Sequence, residues 1–326
     1  MGNNKKILGI ERDSFMLFMR RYGIAFIMVV MVIALALAQQ NFFTGKNIIS
    51  IFLQISVNGI LAMGMIFVIT AGGIDLSIGS LLALTSVMCG QILRWQDGRF
   101  WYLAFVVPVI ITTFFGFING YLIAKFKIFP FVVTLATQLV ARGLSFILSG
   151  GYQIPITNMS FLGLGTYRIF GVIPIPVVIM ITITVLMYSV LHHTKFGRHI
   201  YATGGNINAA TASGVNTMWV TAKSFIISGF CAGVAGVILT SRVTAGMPNI
   251  GVGYEGDAIA ANVIGGTSFA GGISTVPGTF VGTIIIGLIY NGMNMLQINT
   301  NWQTIVKGLL ILAAVMLDMF MNKRRK

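Results

Sequence analysis

Long uninterrupted runs of apolar residues are the feature that most limits how this chain can fold. Residues 24–38 include no polar side chain, and similar blocks recur toward the C-terminus. Hydrophobic residues make up 56% of the 326 residues and charged residues only 9%, whereas soluble domains carry about 25% charged residues. This composition excludes an ordinary soluble enzyme or a disordered chain, and it predicts an all-α polytopic membrane protein.

Ten apolar segments approach the length of about 20 residues that a helix needs to cross a bilayer. They cover residues 22–38, 48–70, 76–93, 100–124, 128–149, 169–191, 215–240, 254–268, 276–297 and 302–320. The second and third segments lie so close together that a tight hairpin or a broken helix is predicted near 70–80. The short eighth segment predicts a broken or re-entrant helix near 254–268. We expect eight to ten spans in a single domain that covers residues 1–326.

The distribution of basic residues predicts the orientation. The chain has 21 Lys and Arg against 7 Asp and Glu. With the N-terminus inside and ten crossings, most basic residues fall on cytoplasmic segments, as the positive-inside rule requires. Both termini are therefore expected in the cytoplasm. The first apolar block lacks a small-residue cleavage site and is expected to remain as a span. No basic face is interleaved with aromatic residues, so nucleic-acid binding is not expected.

No sequence pattern supports catalysis or a bound cofactor. The phosphate loop G-x-x-x-x-G-K-[ST] is absent, so this chain is not expected to hydrolyse ATP. Gly251, Gly253 and Gly256 form a G-x-G-x-x-G string, but no strand precedes it, which argues against dinucleotide binding. Cys89 and Cys231 lie alone in apolar segments, which predicts neither a disulfide framework nor a metal site. The chain is therefore not expected to be an enzyme.

Polar residues at membrane depth are the candidates for function, because they are costly there. Asp75 is the clearest, since Gly72 and Gly73 break one helix just before it. It could cap the following helix, or serve a translocation pathway or gate, and both roles are compatible. Buried amides could bind a hydroxylated solute or form hydrogen bonds between helices. The further candidates for the pathway are Ser77, Asn58, Asn119, Asp257 and Asn262.

Three G-x-x-x-G patterns lie inside the predicted spans. Small residues at this spacing let two helices approach closely in lipid. The patterns are explained by packing within the chain or by contact with a second copy. They are Gly116 with Gly120, Gly229 with Gly233, and Gly278 with Gly282.

The cytoplasmic segment 194–214 is the candidate for contact with another protein. Its second half is rich in Asn and Ala between glycines, which predicts a short helix with no apolar face long enough to span. Such an exposed helix suits the docking of a partner subunit, and a plain connecting loop is the alternative.

Three sequence blocks occur in the order found in one transporter family. They are Gly72-Gly73-Ile74-Asp75-Leu76-Ser77 with Gly79-Ser80; Phe196-Gly197-Arg198 with Ala202-x-Gly204-Gly205-Asn206; and Tyr254-x-x-Asp257-Ala258-Ile259-Ala260 with Gly265-Gly266-Thr267-Ser268 and Gly271-Gly272. Over roughly residues 20–320, the chain resembles the membrane permease subunits of bacterial ABC importers of the ribose/galactose/xylose type.

The resemblance implies several partners and a location. It implies ATP-hydrolysing subunits on the cytoplasmic side, an extracytoplasmic sugar-binding protein, and a second permease copy in a homodimer or heterodimer. It also implies a monosaccharide substrate, no cofactor, and residence in the bacterial cytoplasmic (inner) membrane.

The resemblance also assigns coupling to the region 204–214. Such permeases carry a Glu-Ala-Ala docking sequence with a Gly shortly after it. Asn208-Ala209-Ala210 and Gly214 keep that spacing, but Asn208 stands where Glu is usual. Asn can cap or hydrogen-bond but cannot form a salt bridge. The implied coupling residues are Gly204, Gly205, Asn206, Asn208, Ala209, Ala210 and Gly214.

The leading hypothesis is therefore the permease subunit of an ATP-driven monosaccharide importer. The alternative is an ion-coupled secondary transporter of a small polar solute. That class needs acidic or His relays near the middle of the membrane, and only Asp75, Glu255 and Asp257 are available, all near glycine-rich helix ends.

Overall fold

A computed structural model describes Phe26 and residues 28–323, and helices make up most of it. The helices are α1 (Met28–Ala38), α2 (Gly45–Thr70), α3 (Ile78–Arg94), α4 (Leu103–Phe126), α5 (Pro130–Ser149), α6 (Met159–Thr166), α7 (Ile175–His193), α8 (Lys195–Gly205), α9 (Ile207–Ala212), α10 (Thr217–Val243), α11 (Tyr254–Ile264), α12 (Val276–Met295) and α13 (Thr300–Lys323). Strand β1 (Ile154–Pro155) pairs with β4 (Ala245–Gly246), and β2 (Arg168–Ile169) pairs with β3 (Ile173–Pro174), both antiparallel.

Six of the described helices are long and apolar enough to cross a membrane, fewer than the ten segments predicted. They are α2, α4, α5, α7, α10 and α12. Helices α1 and α3 are apolar but shorter. Helix α11 has 11 residues and rises about 16 Å, too little for the roughly 30 Å of hydrocarbon. The beginning of the first predicted span and the basic N-terminus lie outside the described residues.

The predicted span at 169–191 begins too early, because a hairpin precedes the helix. Strands β2 and β3 are joined through Phe170 and Gly171, which have φ values of 54° and 73°. These backbone conformations are incompatible with a right-handed helix. Helix α7 starts only at Ile175, just after Pro174, and proline is well suited to the start of a helix because it has no N–H to satisfy.

Helices α2 and α10 form the centre of the molecule. In an apolar stretch of 18 residues, 83% of the residues of α2 and 78% of those of α10 are buried. In the corresponding stretches of α4, α5 and α7, only 22% to 33% are buried. The outer helices expose large apolar side chains such as Phe129, Leu139 and Ile147. In a bilayer these faces meet lipid rather than water, so their exposure fits a membrane protein.

The glycine pairs of the sequence all pack inside the chain. Helices α4 and α10 approach so closely that a Cβ added to Gly229 would lie 3.1 Å from the Cα of Gly116. Helices α11 and α12 meet in the same way, since a Cβ at Gly265 would lie 2.5 Å from the backbone of Gly278. Packing within the chain therefore explains these patterns, and their glycine faces are covered.

Both cysteines of the chain are free and fully buried. Cys231 lies where α10 meets α2, and a Cβ added to Gly64 would lie 2.7 Å from its Cβ. The Cys89 thiol lies 3.1 Å from the Ala104 carbonyl oxygen, to which it donates. The two thiols are thus part of helix packing.

Candidate functional site

Asp75 lies in the break between α2 and α3, and its side chain is fully buried. Its Oδ1 accepts hydrogen bonds from the Ser77 backbone N–H (3.0 Å) and the Ser77 hydroxyl (2.5 Å). Its Oδ2 accepts from the Ser228 hydroxyl of α10 (2.7 Å). Ser77, not Asp75, occupies the position immediately before α3. Asp75 therefore orders the approach to α3 and ties it to α10, rather than capping the first turn directly.

The Asp75 carboxylate is the start of a buried polar network that joins four helices. The Asn119 amide of α4 donates to the Ser77 hydroxyl (3.2 Å), and the Thr137 hydroxyl of α5 donates to Asn119 Oδ1 (2.5 Å). The structure thus brings together three residues predicted from the sequence, and adds Ser228 and Thr137. None of the hydrogen-bond donors that contact the carboxylate is charged, so neutral donors offset its desolvation.

The first turn of helix α11 carries a second buried carboxylate, which is paired with a cation. Asp257 Oδ1 lies 2.8 Å from Nζ of Lys307 on α13, and the Tyr290 hydroxyl of α12 donates to the same oxygen (2.7 Å). Asp257 therefore connects α11 with α12 and α13. Sequence reasoning did not select Lys307 as a site residue; an acid and a base that both lie in apolar segments are the signal that could have paired them.

The segment before α11 is held by an arginine that sequence reasoning did not select. One guanidinium nitrogen of Arg142, on α5, donates to the carbonyls of Pro248 (2.7 Å) and Ile250 (2.8 Å). Glu255 follows in the first turn of α11, and within the described chain one of its carboxylate oxygens is buried without a hydrogen-bond partner. Gly79 of α3 lies against that oxygen, where a Cβ would overlap it.

The two remaining amide candidates differ in how fully they are bonded. The Asn262 amide donates to the carbonyls of Ala62 (3.0 Å) and Ala258 (2.8 Å), and its oxygen accepts from the Thr279 hydroxyl (3.0 Å). Asn58 is also buried, but no described group bonds its side-chain oxygen. Asn262 thus links α11 with α2 and α12, whereas the Asn58 oxygen makes no such link within the described chain.

Helix α9 is a short, well-capped helix on the surface. The Asn206 side chain accepts from the backbone N–H groups of Asn208 and Ala209, both at 3.0 Å. At the other end, the Val215 N–H donates to the Ala210 carbonyl (3.0 Å). Gly214 has a φ of 82°, a conformation that glycine adopts without steric cost. These contacts fix the helix without any support from a long apolar face.

The residues of α9 are exposed except for Ala210. Ile207, at its start, is 53% exposed. The preceding stretch, which sequence reasoning treated as a loop, is helix α8. Its Gly197 permits a tight turn, because a Cβ there would overlap the Leu191 carbonyl. The coupling residues implied by the resemblance thus lie at the end of α8 and along α9, joined at Asn206.

The sequence comparisons decide the family. Residues 47–315 match the family described as branched-chain amino acid transport system, permease component. The chain belongs to this permease family. The permease is 40% identical over 307 residues to the ribose import permease protein RbsC of Haemophilus influenzae, with 92% of this chain and 94% of the relative covered.

Other relatives are named for transport of further sugars. The permease is 37% identical to the D-allose transport system permease protein AlsC of Escherichia coli, with 95% of each chain covered. It is 35% identical to the L-arabinose transport system permease protein AraH of Escherichia coli, with 94% of this chain and 92% of the relative covered. No solved structure matches the permease.

These matches confirm the class predicted from the sequence. The permease is a transport subunit and not an enzyme, and ATP hydrolysis belongs to a separate subunit. It lies in the cytoplasmic membrane as a multi-pass protein. They favour an ABC permease over the ion-coupled alternative. In the described part of the chain, no three His, Cys, Asp or Glu residues gather as metal ligands.

Proposed function

We propose that this permease carries a monosaccharide across the cytoplasmic membrane as the membrane subunit of an ATP-driven importer. The main support is the sequence similarity, over more than nine tenths of the chain, to permeases named for ribose, allose and arabinose. Neutral groups suit such a substrate, because sugar hydroxyls are recognised by hydrogen bonds. Asn58, Asn119 and Ser77 are the amide and hydroxyl groups that we assign to this recognition; the Asn58 oxygen is buried and has no hydrogen-bond partner in the described chain.

The contacts of Asp75 and Asp257 fit the importer better than an ion-coupled carrier. A proton or sodium relay needs acidic groups that can exchange their ion. Asp257 is already paired with Lys307, and Asp75 is enclosed by three hydrogen-bond donors. We assign both to the walls and gate of the pathway, where they hold α11 and the break before α3 in place.

We place both termini in the cytoplasm, with ten membrane segments. This count adds α1, α3, α11 and α13 to the six long helices, and takes α11 with the residues that follow it, up to 268, as a broken span that crosses the membrane. The excess of Lys and Arg on the segments assigned to the cytoplasm supports it. In this orientation α8 and α9 face the cytoplasm.

We assign α9 and its flanking glycines to docking of the ATPase subunit. Its exposed surface, its capped ends and its Asn208-Ala209-Ala210 sequence support the assignment. A sugar-loaded binding protein would dock on the outer loops, and two permease copies would enclose the pathway. ATP-driven closure of the ATPase subunits then acts on α9, and differential contact with the ATPase states drives the permease between inward- and outward-facing forms.

Reconstitution tests the function. The purified permease in proteoliposomes should accumulate no sugar under a proton or sodium gradient. Uptake of a labelled pentose or hexose should appear only when the ATPase subunit, the binding protein and ATP are all present. Each component left out in turn serves as the control. Accumulation that follows an ion gradient without ATP and collapses with an ionophore would overturn the proposal.

A further inference from the structure

Three parts of the chain meet at one end of the bundle. They are the end of α2, the end of α8, and the link between α11 and α12. The Gly272 N–H in that link donates to the Thr70 carbonyl at the end of α2 (2.9 Å). The Tyr201 hydroxyl of α8 donates to the Ser274 carbonyl in the same link (3.1 Å). The link is therefore bonded to both helices.

The backbones at this meeting point touch without side chains between them. A Cβ at Gly204 would overlap the Thr70 carbonyl and lie 2.6 Å from the Gly272 nitrogen. A Cβ at Gly272 would lie 2.8 Å from the Gly205 Cα, and one at Gly271 would lie 2.8 Å from the Gly204 carbonyl oxygen. We call Thr70, Gly204, Gly205, Gly271 and Gly272 the glycine joint. Because no flexible side chain separates its backbones, the joint transmits displacement rather than absorbing it.

The glycine joint lies between the docking helix and α11. Asn206 ends α8 and begins α9, so no linker separates α9 from the joint. On the other side, the link leads back to the end of α11 at Ile264, and the start of α11 is anchored through Asp257 and Lys307. A movement of α9 thus reaches an element that is bonded to α2, α12 and α13.

We propose that the glycine joint transmits the movement of α9 to α11 and α2, and thereby couples ATP hydrolysis to opening of the pathway. This inference rests on the proposed docking of the ATPase at α9. Rigid elements whose backbones are in close contact move as units, and the interfaces between them shift from one discrete packing to another. The joint is a positioning device and contacts neither substrate nor nucleotide.

Two glycines provide a matched test. Gly204→Ala places a methyl group against Thr70 and Gly272, whereas a Cβ at Gly143, on α5 and outside the glycine joint, meets nothing within 4 Å. Both variants are studied in the transporter assembled with its ATPase subunit and binding protein. The measurements are copurification of the ATPase, ATP hydrolysis and sugar uptake. We expect Gly204→Ala to keep the ATPase and its hydrolysis but to lose at least about fivefold in uptake, within the usual range of coupling between sites. Gly143→Ala should match the wild type in all three measurements.

A milder variant serves if Gly204→Ala does not accumulate. Tyr201→Phe keeps the ring but removes the hydrogen bond to the Ser274 carbonyl and the one that the Tyr201 hydroxyl accepts from the Ser274 hydroxyl (3.2 Å). Tyr188→Phe, at the nearby end of α7, is its control. Loss of these hydrogen bonds should lower uptake per ATP hydrolysed about threefold. Wild-type uptake by Gly204→Ala or by Tyr201→Phe would overturn the inference.

The possible results distinguish a failure of the role inferred for the glycine joint from a failure of the proposed function. Loss of the copurifying ATPase in Gly204→Ala would also overturn the inference, because the joint would then support docking rather than transmit movement. Gradient-driven uptake by the wild type without ATP would instead contradict the proposed function.

Discussion

Lys307 pairs with the Asp257 carboxylate at 2.8 Å, and both side chains are shielded, with 18% and 4% exposed respectively. Lys307→Met keeps the apolar stem of the side chain and removes its charge. It leaves the carboxylate buried with the Tyr290 hydroxyl as its remaining partner. Breaking a buried ion pair at one side costs about 3–5 kcal/mol. Because Lys307 retains some exposure, we expect the free energy of unfolding to fall by about 3 kcal/mol.

The double variant separates the ion pair from packing. Asp257→Asn combined with Lys307→Met removes both charges and keeps an oxygen that can accept from Tyr290. Replacing a whole buried pair is often nearly neutral, so the double variant should unfold within about 1 kcal/mol of the wild type. The double-mutant cycle then yields an interaction energy of about 2 kcal/mol or more.

Unfolding is measured by denaturant titration of the purified permease in detergent, followed by Trp fluorescence. Lys46→Met, at an exposed position, is the matched control and should change stability by less than about 0.5 kcal/mol. The reasoning is refuted if Lys307→Met is as stable as that control, or if the double variant loses as much as the two single variants together.

Two further predictions concern the pathway and the docking helix. Asp75→Asn keeps an acceptor for Ser77 but loses the charge, so sugar uptake should fall more than the yield of folded protein; Asp75→Leu should lower the yield itself. Equal uptake by wild type and Asp75→Asn would remove Asp75 from the pathway. Ala209→Arg places a bulky cation on exposed α9 and should abolish copurification of the ATPase while the permease stays inserted. Thr166→Arg, at the exposed last residue of α6, is its control, and an unchanged ATPase yield in Ala209→Arg would disprove docking at α9.

Local patterns predicted most of the helices but not all of their lengths. The apolar blocks gave the long helices because burial in lipid requires continuous apolar sequence. Gly72 and Gly73 marked the break before Asp75 correctly. Ten segments are predicted, whereas six described helices are long and apolar enough to cross by themselves, since an apolar run also occurs in a shorter buried helix such as α11. Helix α8 was missed because Gly197, Gly204 and Gly205 have low helix propensity.

The contacts of the candidate site depend on pairs that are distant in sequence. Asp75 and Ser228 are 153 residues apart, and no local period reveals such a pair. Arg142 bonds backbone carbonyls, which any residue could supply. A polar residue in an apolar segment could therefore be selected as a candidate from the sequence. Its hydrogen-bond partner could be identified only in the folded chain.

The complete burial of Cys89 and Cys231 has a practical consequence. Both native thiols are inaccessible in the folded chain, and the sequence has no others. A cysteine introduced at an exposed position such as Ala209 should therefore be the single group that reacts with a maleimide or a nitroxide reagent. Arrival of the ATPase at α9 can then be followed by spectroscopy in a protein that keeps every native residue but one. Because helix packing covers both native thiols, the wild-type chain itself serves as the unlabelled control.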